Sequence, residues 1–457
     1  MITAEADPLP SCQTGTSLAP FADEIRQHET HNSLAWEDKL GDVPREHLHL
    51  DAIIVPASRP YWNLDQAITL ARAAGCWLLI LCSRELRSSD AKRQLAARSY
   101  HNAIVVDVPK GYSHELFHFP RLGAVRDELP PARHFYSADI SIKRNIGLAV
   151  ARMMQWRYIF FLDDDIRDVS HSELRSTVDM LGSFAAAGLS VTEYPDNSAV
   201  CHANRITGAP QDVFVSGAAL AVDAAADIGF FPDIYNEDWL FFFDYAAEKR
   251  LAKSGFKVTQ LSYDPFTNPR RAAWQEFGDL LAEGLYAMLH DGRGVEQATR
   301  EYWGLFIEAR RTFLEAINTR AEVSSLENRD QLVEAVKWAL KSLRKIGPDL
   351  CAQYVQAWRA DLVDWRGRVA EISTMPSIQA ALAALGLEPA GPAGGAAGVQ
   401  FSRAEAAPAS MAGAVTIPRF ETINQMAERV SASVPIGVNE DAVRLAPSHA
   451  MVGSMLA

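Results

Sequence analysis

Cysteine is scarce in this chain of 457 residues and has neither metal-binding nor disulfide spacing. An odd, dispersed set without a C-x-x-C pair excludes the disulfide framework of small secreted proteins and the paired ligands of a structural zinc site. We therefore expect reduced thiols buried as ordinary core residues. The five cysteines are Cys12, Cys76, Cys82, Cys201 and Cys351.

Long apolar runs and an excess of basic residues are also missing. No run reaches the roughly 18 to 20 residues that cross a bilayer, and residues 1–17 lack the basic start and apolar stretch of a signal peptide. With 57 acidic and 44 basic side chains, the formal net charge of -13 argues against binding to a nucleic-acid backbone. We expect a cytoplasmic globular protein without a transmembrane segment.

What the chain does contain is a buried strand that ends in three carboxylates. The segment Tyr158–Asp165 reads Y-I-F-F-L-D-D-D, a β-branched and aromatic run followed at once by acidic residues. Three adjacent carboxylates repel one another and have to be solvated, protonated or neutralised by a counter-ion. The pattern therefore predicts a divalent-cation site mounted on the end of a strand.

The composition changes along the chain in a way that predicts four regions. Residues 1–49 are polar and form an N-terminal extension, whereas residues 50–270 alternate short apolar runs with amphipathic stretches. Such alternation predicts crossover units and an α/β fold with a mostly parallel sheet flanked by helices. Helical spacing of apolar residues predicts a helical appendage over 271–385. Residues 386–457 are predicted to be a low-complexity linker and a weakly structured tail with one short helix near 421–430.

The same patterns predict individual elements within 50–270. We expect strands over 52–56, 77–82, 103–107, 158–162, 213–222 and 256–261. We expect helices over 63–74, 89–99, 138–154, 173–187 and 237–254, the last of them stopped by Gly255.

An ordered set of motifs makes residues 51–262 resemble the GT-A fold glycosyltransferases, and among them the large inverting family 2. The resemblance implies a Rossmann-like nucleotide-diphospho-sugar transferase fold, a nucleotide-sugar donor, Mn2+ or Mg2+, and an acceptor hydroxyl. The segments that carry it are S-I-K-R-N-I-G (141–147), Y-I-F-F-L-D-D-D (158–165), V-S-G-A (215–218), I-G-F-F (228–231), N-E-D-W (236–239) and G-F-K-V (255–258).

By this resemblance the carboxylates after the acidic strand bind the donor and its metal. Asp163 and Asp165 match a D-x-D pattern, with Asp163 nearer the ribose and Asp165 on the ion. Asp164 lies between them, and along an extended chain its side chain points to the opposite face, so it is the weaker candidate for donor binding. Oxygen ligands suit Mg2+ or Mn2+, which need only one or two protein carboxylates beside phosphates and water.

The acid pair near residue 237 is the candidate acceptor site. The resemblance makes Asp238 the base that takes the proton from the acceptor hydroxyl, with Glu237 assisting the placement of the acceptor. Trp239 is the candidate for stacking on an acceptor, and Gly217 lies in a motif of the same site. Taken alone, Glu237 and Asp238 are more typical of a helix N-terminus, where carboxylates are stabilised; their place downstream of the acidic strand end favours the acceptor site.

Further donor contacts are expected at the carboxyl ends of the strands, where open α/β sheets bind ligands. The family often has an acidic residue after the second strand to hold the nucleobase, but this chain has C-S-R at 82–84. The replacement candidate, Asp107, follows the third strand, and the donor base stays open. Pro56 and Ser58 follow the first strand and are expected near the nucleoside. Arg144 and Asn145 lie on the helix that leads into the acidic strand, where the resemblance implies an arginine near the donor's phosphates.

Three alternatives remain at this point. A retaining glycosyltransferase has the same metal motif. A degenerate scaffold that binds a nucleotide or a partner is compatible with the absence of an acidic residue after the second strand. Residues 164–168 also spell D-D-x-x-D, a motif that terpene and prenyl synthases hold within a helix. The acceptor, the linkage and the oligomeric state are open, although the helical region offers a surface for a homo-oligomer.

Overall fold

One sheet of nine strands runs through the residues that the computed structural model describes, which are 25, 27–28, 30–37, 46–127, 139–192, 198–210 and 213–389. The strands are β1 (Trp36–Glu37), β2 (Ala52–Ala57), β3 (Trp77–Cys82), β4 (Ala103–Asp107), β5 (Tyr158–Leu162), β6 (Ile166–Arg167), β7 (Ala186–Thr192), β8 (Ala219–Asp223) and β9 (Leu251–Gln260).

The strands lie in the spatial order β1-β9-β7-β8-β5-β2-β3-β4, and β6 pairs with β9. All pairings are parallel except those of β8 with its two neighbours and that of β6 with β9. The mostly parallel α/β sheet is therefore confirmed. Because β2 lies between β3 and β5, the strand order reverses there, and such a switch point is where doubly wound sheets bind ligands.

Residues of each central strand alternate between two cores, as the period of two requires. In β2, Ile54 faces one core, together with Leu79 of β3 and Phe161 of β5. Its neighbour Ile53 faces the other core, together with Phe160. Both faces of the sheet are thus covered, which explains why these strands are apolar throughout.

The described residues form thirteen α-helices. Buried residues of α1, α2 and α5 belong to the core on the second face and those of the other helices to the core on the first, so the sheet is flanked on both sides as expected. They are α1 (Asp65–Ala74), α2 (Ser88–Ala97), α3 (Pro120–Asp127), α4 (Asp139–Met153), α5 (His171–Asp179), α6 (Ala199–Ile206), α7 (Glu237–Phe241), α8 (Phe243–Ala247), α9 (Arg271–His290), α10 (Arg300–Glu322), α11 (Arg329–Leu343), α12 (Pro348–Ala370) and α13 (Ile378–Ala384).

Two predicted helices are too long. The first is followed by strand β7, which no pattern predicted, and the second by strand β9, which begins five residues before the strand expected over 256–261. The helix expected over 173–187 stops at Asp179, and β7 begins at Ala186. The helix expected over 237–254 is two short helices that end at Ala247, and Gly255 lies inside β9 rather than at a helix stop. Pairing of β7 with β9 overrides the helical preference of alanine-rich and lysine-containing segments.

The C-terminal helices share a core with the sheet. Leu314 of α10, Trp358 of α12 and Leu382 of α13 are buried in the same cluster as Ile54. Residue Val106 of β4 forms a bridge with Pro389. The predicted linker and tail, including the short helix near 421–430, lie outside the described residues from 390 onward. Among the described residues, no helix combines the length and apolarity that a membrane crossing requires.

Candidate active site

A cleft of about 570 Å³ opens at the carboxyl ends of β2 and β5. One wall comes from the loop after β2 and the three carboxylates after β5, and the other from α7 and α9. The cleft thus lies at the switch point of the sheet, where the topology predicts a ligand. It collects Pro56, Ser58, Arg144, Asp163, Asp164, Asp165, Glu237, Asp238 and Trp239 from the sequence candidates.

Asp164 holds the loop that follows β2. Its Oδ2 accepts hydrogen bonds from the backbone amides of Ser58 (2.6 Å) and Arg59 (2.7 Å), and its Oδ1 is 2.6 Å from Arg59 Nη1. Both oxygens are therefore engaged by this chain. The residue therefore fixes the loop that follows β2, a role that its place in the motif did not indicate.

Asp165 has one oxygen fixed and the other oxygen unused. Its Oδ2 lies 2.7 Å from Arg59 Nη2 and accepts a hydrogen bond from Gln260 Nε2 (3.0 Å). Its Oδ1 is buried and has no hydrogen-bond donor in the described part of the chain. A buried carboxylate oxygen without a donor suits a cation, since an unsatisfied buried charge is costly.

Asp163 is paired with a fully buried arginine. Nη2 of Arg144, on α4, lies 3.0 and 3.1 Å from the two carboxylate oxygens of Asp163, and Nη1 lies 2.7 Å from Glu237 Oε1. One guanidinium therefore joins the acidic strand end to the start of α7. Within the described residues, no three His, Cys, Asp or Glu side chains are arranged to hold a metal alone. A bound ion would have to take further ligands from water or from a bound molecule.

Asp238 lies across the cleft on a backbone cradle. Its Oδ2 accepts a hydrogen bond from the amide of Gly217 (2.7 Å) and its Oδ1 one from the amide of Trp239 (2.9 Å). Burial raises the pKa of Asp238, although Arg144 and the two amides oppose the shift. A carboxylate with a raised pKa is a better proton acceptor than an exposed one.

Gly217 leaves no room for a side chain. A Cβ at this position would lie 2.7 Å from Arg144 Nη1 and 2.9 Å from Asp238 Cβ. Its backbone therefore approaches both charged groups directly, and its amide reaches Asp238. Gly217 therefore supports Asp238 in this structure.

Asn145 and Asp107 are engaged elsewhere. The Asn145 amide donates to the carbonyl of Phe231 and accepts from its N–H, both at 2.8 Å, so it fixes a neighbouring loop. Asp107 accepts hydrogen bonds from the N–H (2.9 Å) and hydroxyl (2.6 Å) of Ser88 at the start of α2 and lines a separate cavity. The structure does not bring either residue to the carboxylates, whereas Pro56 lines the cleft.

Trp239 belongs to an aromatic cluster beside Asp238. Its ring centroid is 5.2 Å from that of His31, 5.4 Å from Phe214 and 4.9 Å from Tyr286. Nε2 of His31 lies 2.8 Å from a carboxylate oxygen of Glu283 on α9. His31, from the N-terminal region, thereby contributes to the cleft wall, a position that the polar composition of residues 1–49 did not specify.

Helix α9 carries three buried carboxylates around a buried arginine. Arg310 of α10 lies 2.9 and 3.1 Å from the two oxygens of Glu276 and 3.1 Å from Asp279 Oδ2. Burial raises the pKa of Asp279 to about 7, although Arg310 opposes the shift. Sequence reasoning missed these residues and Arg59. The available signals were acids at 276, 279 and 283 on one face of an apolar helix, and a basic residue directly after the first strand.

Comparison with known proteins gives matches only among solved structures. No protein-family model matches the chain, and no curated protein does. Glucosyl-3-phosphoglycerate synthase from Mycobacterium tuberculosis with phosphoglyceric acid is 11% identical over 57% of this chain and 88% of its own, at a TM-score of 0.33. Its complex with Mn2+, UDP-glucose and phosphoglyceric acid is 12% identical over 54% and 81%, at 0.33.

A third structure is a mannosyltransferase from Pyrobaculum calidifontis in complex with GDP-Man and Mn2+. It is 14% identical over 70% of this chain and 91% of its own, at a TM-score of 0.32. Sequence identities and TM-scores this low do not indicate the activity of this chain, which we therefore infer from the residues of the site.

Proposed function

We propose that the chain is a GT-A type glycosyltransferase that moves a sugar from a nucleotide-diphosphate donor to an acceptor hydroxyl with inversion. The observation that carries the proposal is the unsatisfied, buried Oδ1 of Asp165 at the switch point of the sheet, with the cradled carboxylate of Asp238 across the same cleft. One side suits a cation and a diphosphate, and the other suits proton removal.

We assign the donor side of the cleft from the buried oxygen of Asp165 that has no hydrogen-bond donor among the described residues. Asp165 Oδ1 would be the first ligand for Mn2+ or Mg2+, and Asp163, whose two oxygens pair with Arg144, would be the second carboxylate of the site. The ion, when bound, neutralises charge on the leaving diphosphate. Pro56 and Ser58 line the same wall of the cleft as these carboxylates. Asp164 fixes their loop through its hydrogen bond to the Ser58 amide.

The transfer step requires a proton acceptor on the opposite face of the sugar. The acceptor oxygen attacks the anomeric carbon, its proton passes to the carboxylate of Asp238, and the bond from the anomeric carbon to the diphosphate oxygen breaks. The Gly217 and Trp239 amides keep Asp238 oriented before the proton arrives. Glu237, held by Arg144, and Trp239 lie next to the base and are proposed to place the acceptor.

Two alternatives differ in what they require of the cleft. The D-D-x-x-D interpretation is contradicted, because residues 164–168 contain a turn and the short strand β6 of the sheet and are not part of a helix. A retaining reaction would give a product with the anomeric configuration of the donor.

A cytoplasmic location and a homo-oligomer through 271–385 stay predictions.

The first experiment is calorimetry with UDP-, GDP- and dTDP-sugars in the presence and absence of Mn2+. We expect Mn2+-dependent binding of one nucleotide class to the wild type and its loss in Asp165→Asn. Asp238→Asn should keep that binding and lower kcat about 100- to 10,000-fold, the usual effect of removing a general base. Binding of no nucleotide would favour the degenerate scaffold, and NMR that finds a retained anomeric configuration would remove the role of Asp238.

A further inference from the structure

We propose that helix α9 acts as a clamp on the Tyr235–Asn236 turn and thereby positions Asp238, with Gly278 and Asp279 as its positioning residues. The inference rests on the proposed function, since it assigns to the C-terminal helices a role in the same site. It concerns the residues that set the catalytic geometry rather than the residues that touch substrate.

The turn before Asp238 has a backbone conformation that needs support. Asn236 has φ of 63° and ψ of 37°, which is the left-handed region. Asparagine adopts this region more readily than most residues, but an unsupported residue would relax toward right-handed conformations. Because Glu237 and Asp238 follow directly, such a change would redirect both carboxylates.

The first support is a hydrogen bond from the side chain of Asn236. Its Nδ2 donates to Oδ1 of Asp279 at 3.0 Å. The other oxygen of Asp279 lies 3.1 Å from Arg310, which also pairs with Glu276. Since Asp279, Glu276 and Arg310 are all buried, the acceptor for Asn236 is fixed from behind by α10.

The second support is direct backbone contact. A Cβ at Gly278 would lie 2.1 Å from the carbonyl oxygen of Tyr235 and 2.7 Å from its carbonyl carbon. Helix α9 can approach the turn only because residue 278 has no side chain. Two consecutive residues of α9 therefore support the turn. Gly278 lies against the Tyr235 backbone, and Asp279 accepts the hydrogen bond from the Asn236 side chain.

The clamp is tested by adding one methyl group where it touches the turn. Gly278→Ala forces α9 and the turn apart, and a displacement of this kind near a reacting group can cost about 100-fold in rate. We expect kcat to fall by about that factor while the affinity for the Mn2+–nucleotide complex stays within about threefold, since the donor side does not contact α9 through this residue.

Two matched variants separate positioning from general damage. Gly284→Ala is on the same helix and would also crowd its neighbours, with a Cβ 2.4 Å from the Trp303 ring, but it is remote from the turn. Gly304→Ala in α10 meets nothing within 4 Å. Equal losses of kcat in Gly278→Ala and Gly284→Ala, after matching for unfolding temperature, would overturn the proposal.

A second pair of variants tests the turn if Gly278→Ala does not fold. Asn236→Gly removes the hydrogen bond and keeps the left-handed conformation accessible, whereas Asn236→Ala removes both. We expect a larger loss of kcat in Asn236→Ala than in Asn236→Gly, with unchanged donor affinity in each. Equal kcat values in the two variants would contradict the proposed role of the left-handed backbone conformation.

A readout that does not need activity is hydrogen exchange at the amides of Gly217 and Trp239, which donate to Asp238. Faster exchange in Gly278→Ala than in Gly284→Ala supports the clamp even if the wild type transfers no sugar, in which case the proposed function alone fails. Unchanged exchange in both variants would remove the clamp while leaving the donor experiment intact.

Discussion

At the scale of single residues, adjacent acids differ in what their oxygens already bind. Asp164 uses both oxygens on the loop after β2, whereas Asp165 leaves one oxygen buried and unused. The strand end and its acids could be predicted from the apolar run at 158–162. The division of roles among the three acids could not, because it depends on Arg59 and Gln260, which are distant in sequence.

Asp164→Asn and Asp165→Asn should therefore give opposite results. Asp164→Asn weakens the support of the Ser58 and Arg59 amides and should lower the free energy of unfolding by about 1 to 3 kcal/mol while Mn2+-dependent nucleotide binding persists. Asp165→Asn should abolish that binding. Chemical denaturation and calorimetry on both variants check this, and loss of binding in Asp164→Asn alone would reverse the assignment.

The rate should depend on the protonation of Asp238. Its pKa is raised by burial, so its carboxylate is protonated, and unable to accept a proton, at higher pH than an ordinary aspartate. We expect kcat to fall as the pH is lowered through this raised pKa. A profile of kcat against pH with an acidic limb at the ordinary aspartate value would contradict it, and Asp238→Asn should be slow and lack the limb.

At the scale of elements, the four strands β2, β3, β4 and β5 were predictable because each is a short apolar run between turn residues. Strand β7 was not, since its alanine-rich start favours a helix and only pairing with β8 and β9 makes it extended. The chain after α8 turns at Lys249, with φ of 56°, and enters β9. No local pattern indicated this turn.

Asn145 joins two elements and should act on stability rather than on donor binding. Asn145→Ala leaves the buried N–H and C=O of Phe231 without partners, and we expect a loss of about 2 to 4 kcal/mol in the free energy of unfolding. Asn145→Asp keeps the acceptor and should lose less. A donor affinity reduced more than the stability predicts would restore Asn145 to the donor site.

At the scale of the whole molecule, the C-terminal helices bury charge as well as apolar surface. The pKa of Asp279 rises from 3.8 to about 7 through burial, so the folded protein binds more protons than the unfolded chain between these values. Its contribution to the free energy of unfolding therefore declines as the pH rises from about 4 to about 7. The sequence pattern predicted these helices but not which of their acids are buried.

Asp279→Asn should remove this dependence. We expect the wild type to lose stability relative to the variant as the pH is raised across that interval, with the difference constant above it. Denaturation of both proteins at several pH values measures the difference. A difference that does not change with pH would mean that Asp279 is ionised throughout, held by Arg310.

Gly217 also bears on how other sequences should be recognised. Arg144 and Asp238 both approach its backbone closely, so a side chain at this position would displace one of the two charged groups. A search that requires glycine two residues before the antiparallel strand β8, together with an arginine on the helix before the acids, would select chains able to assemble the same cleft. Under the proposed function, chains that keep the acids but have lost this glycine are expected to bind a nucleotide without transferring its sugar.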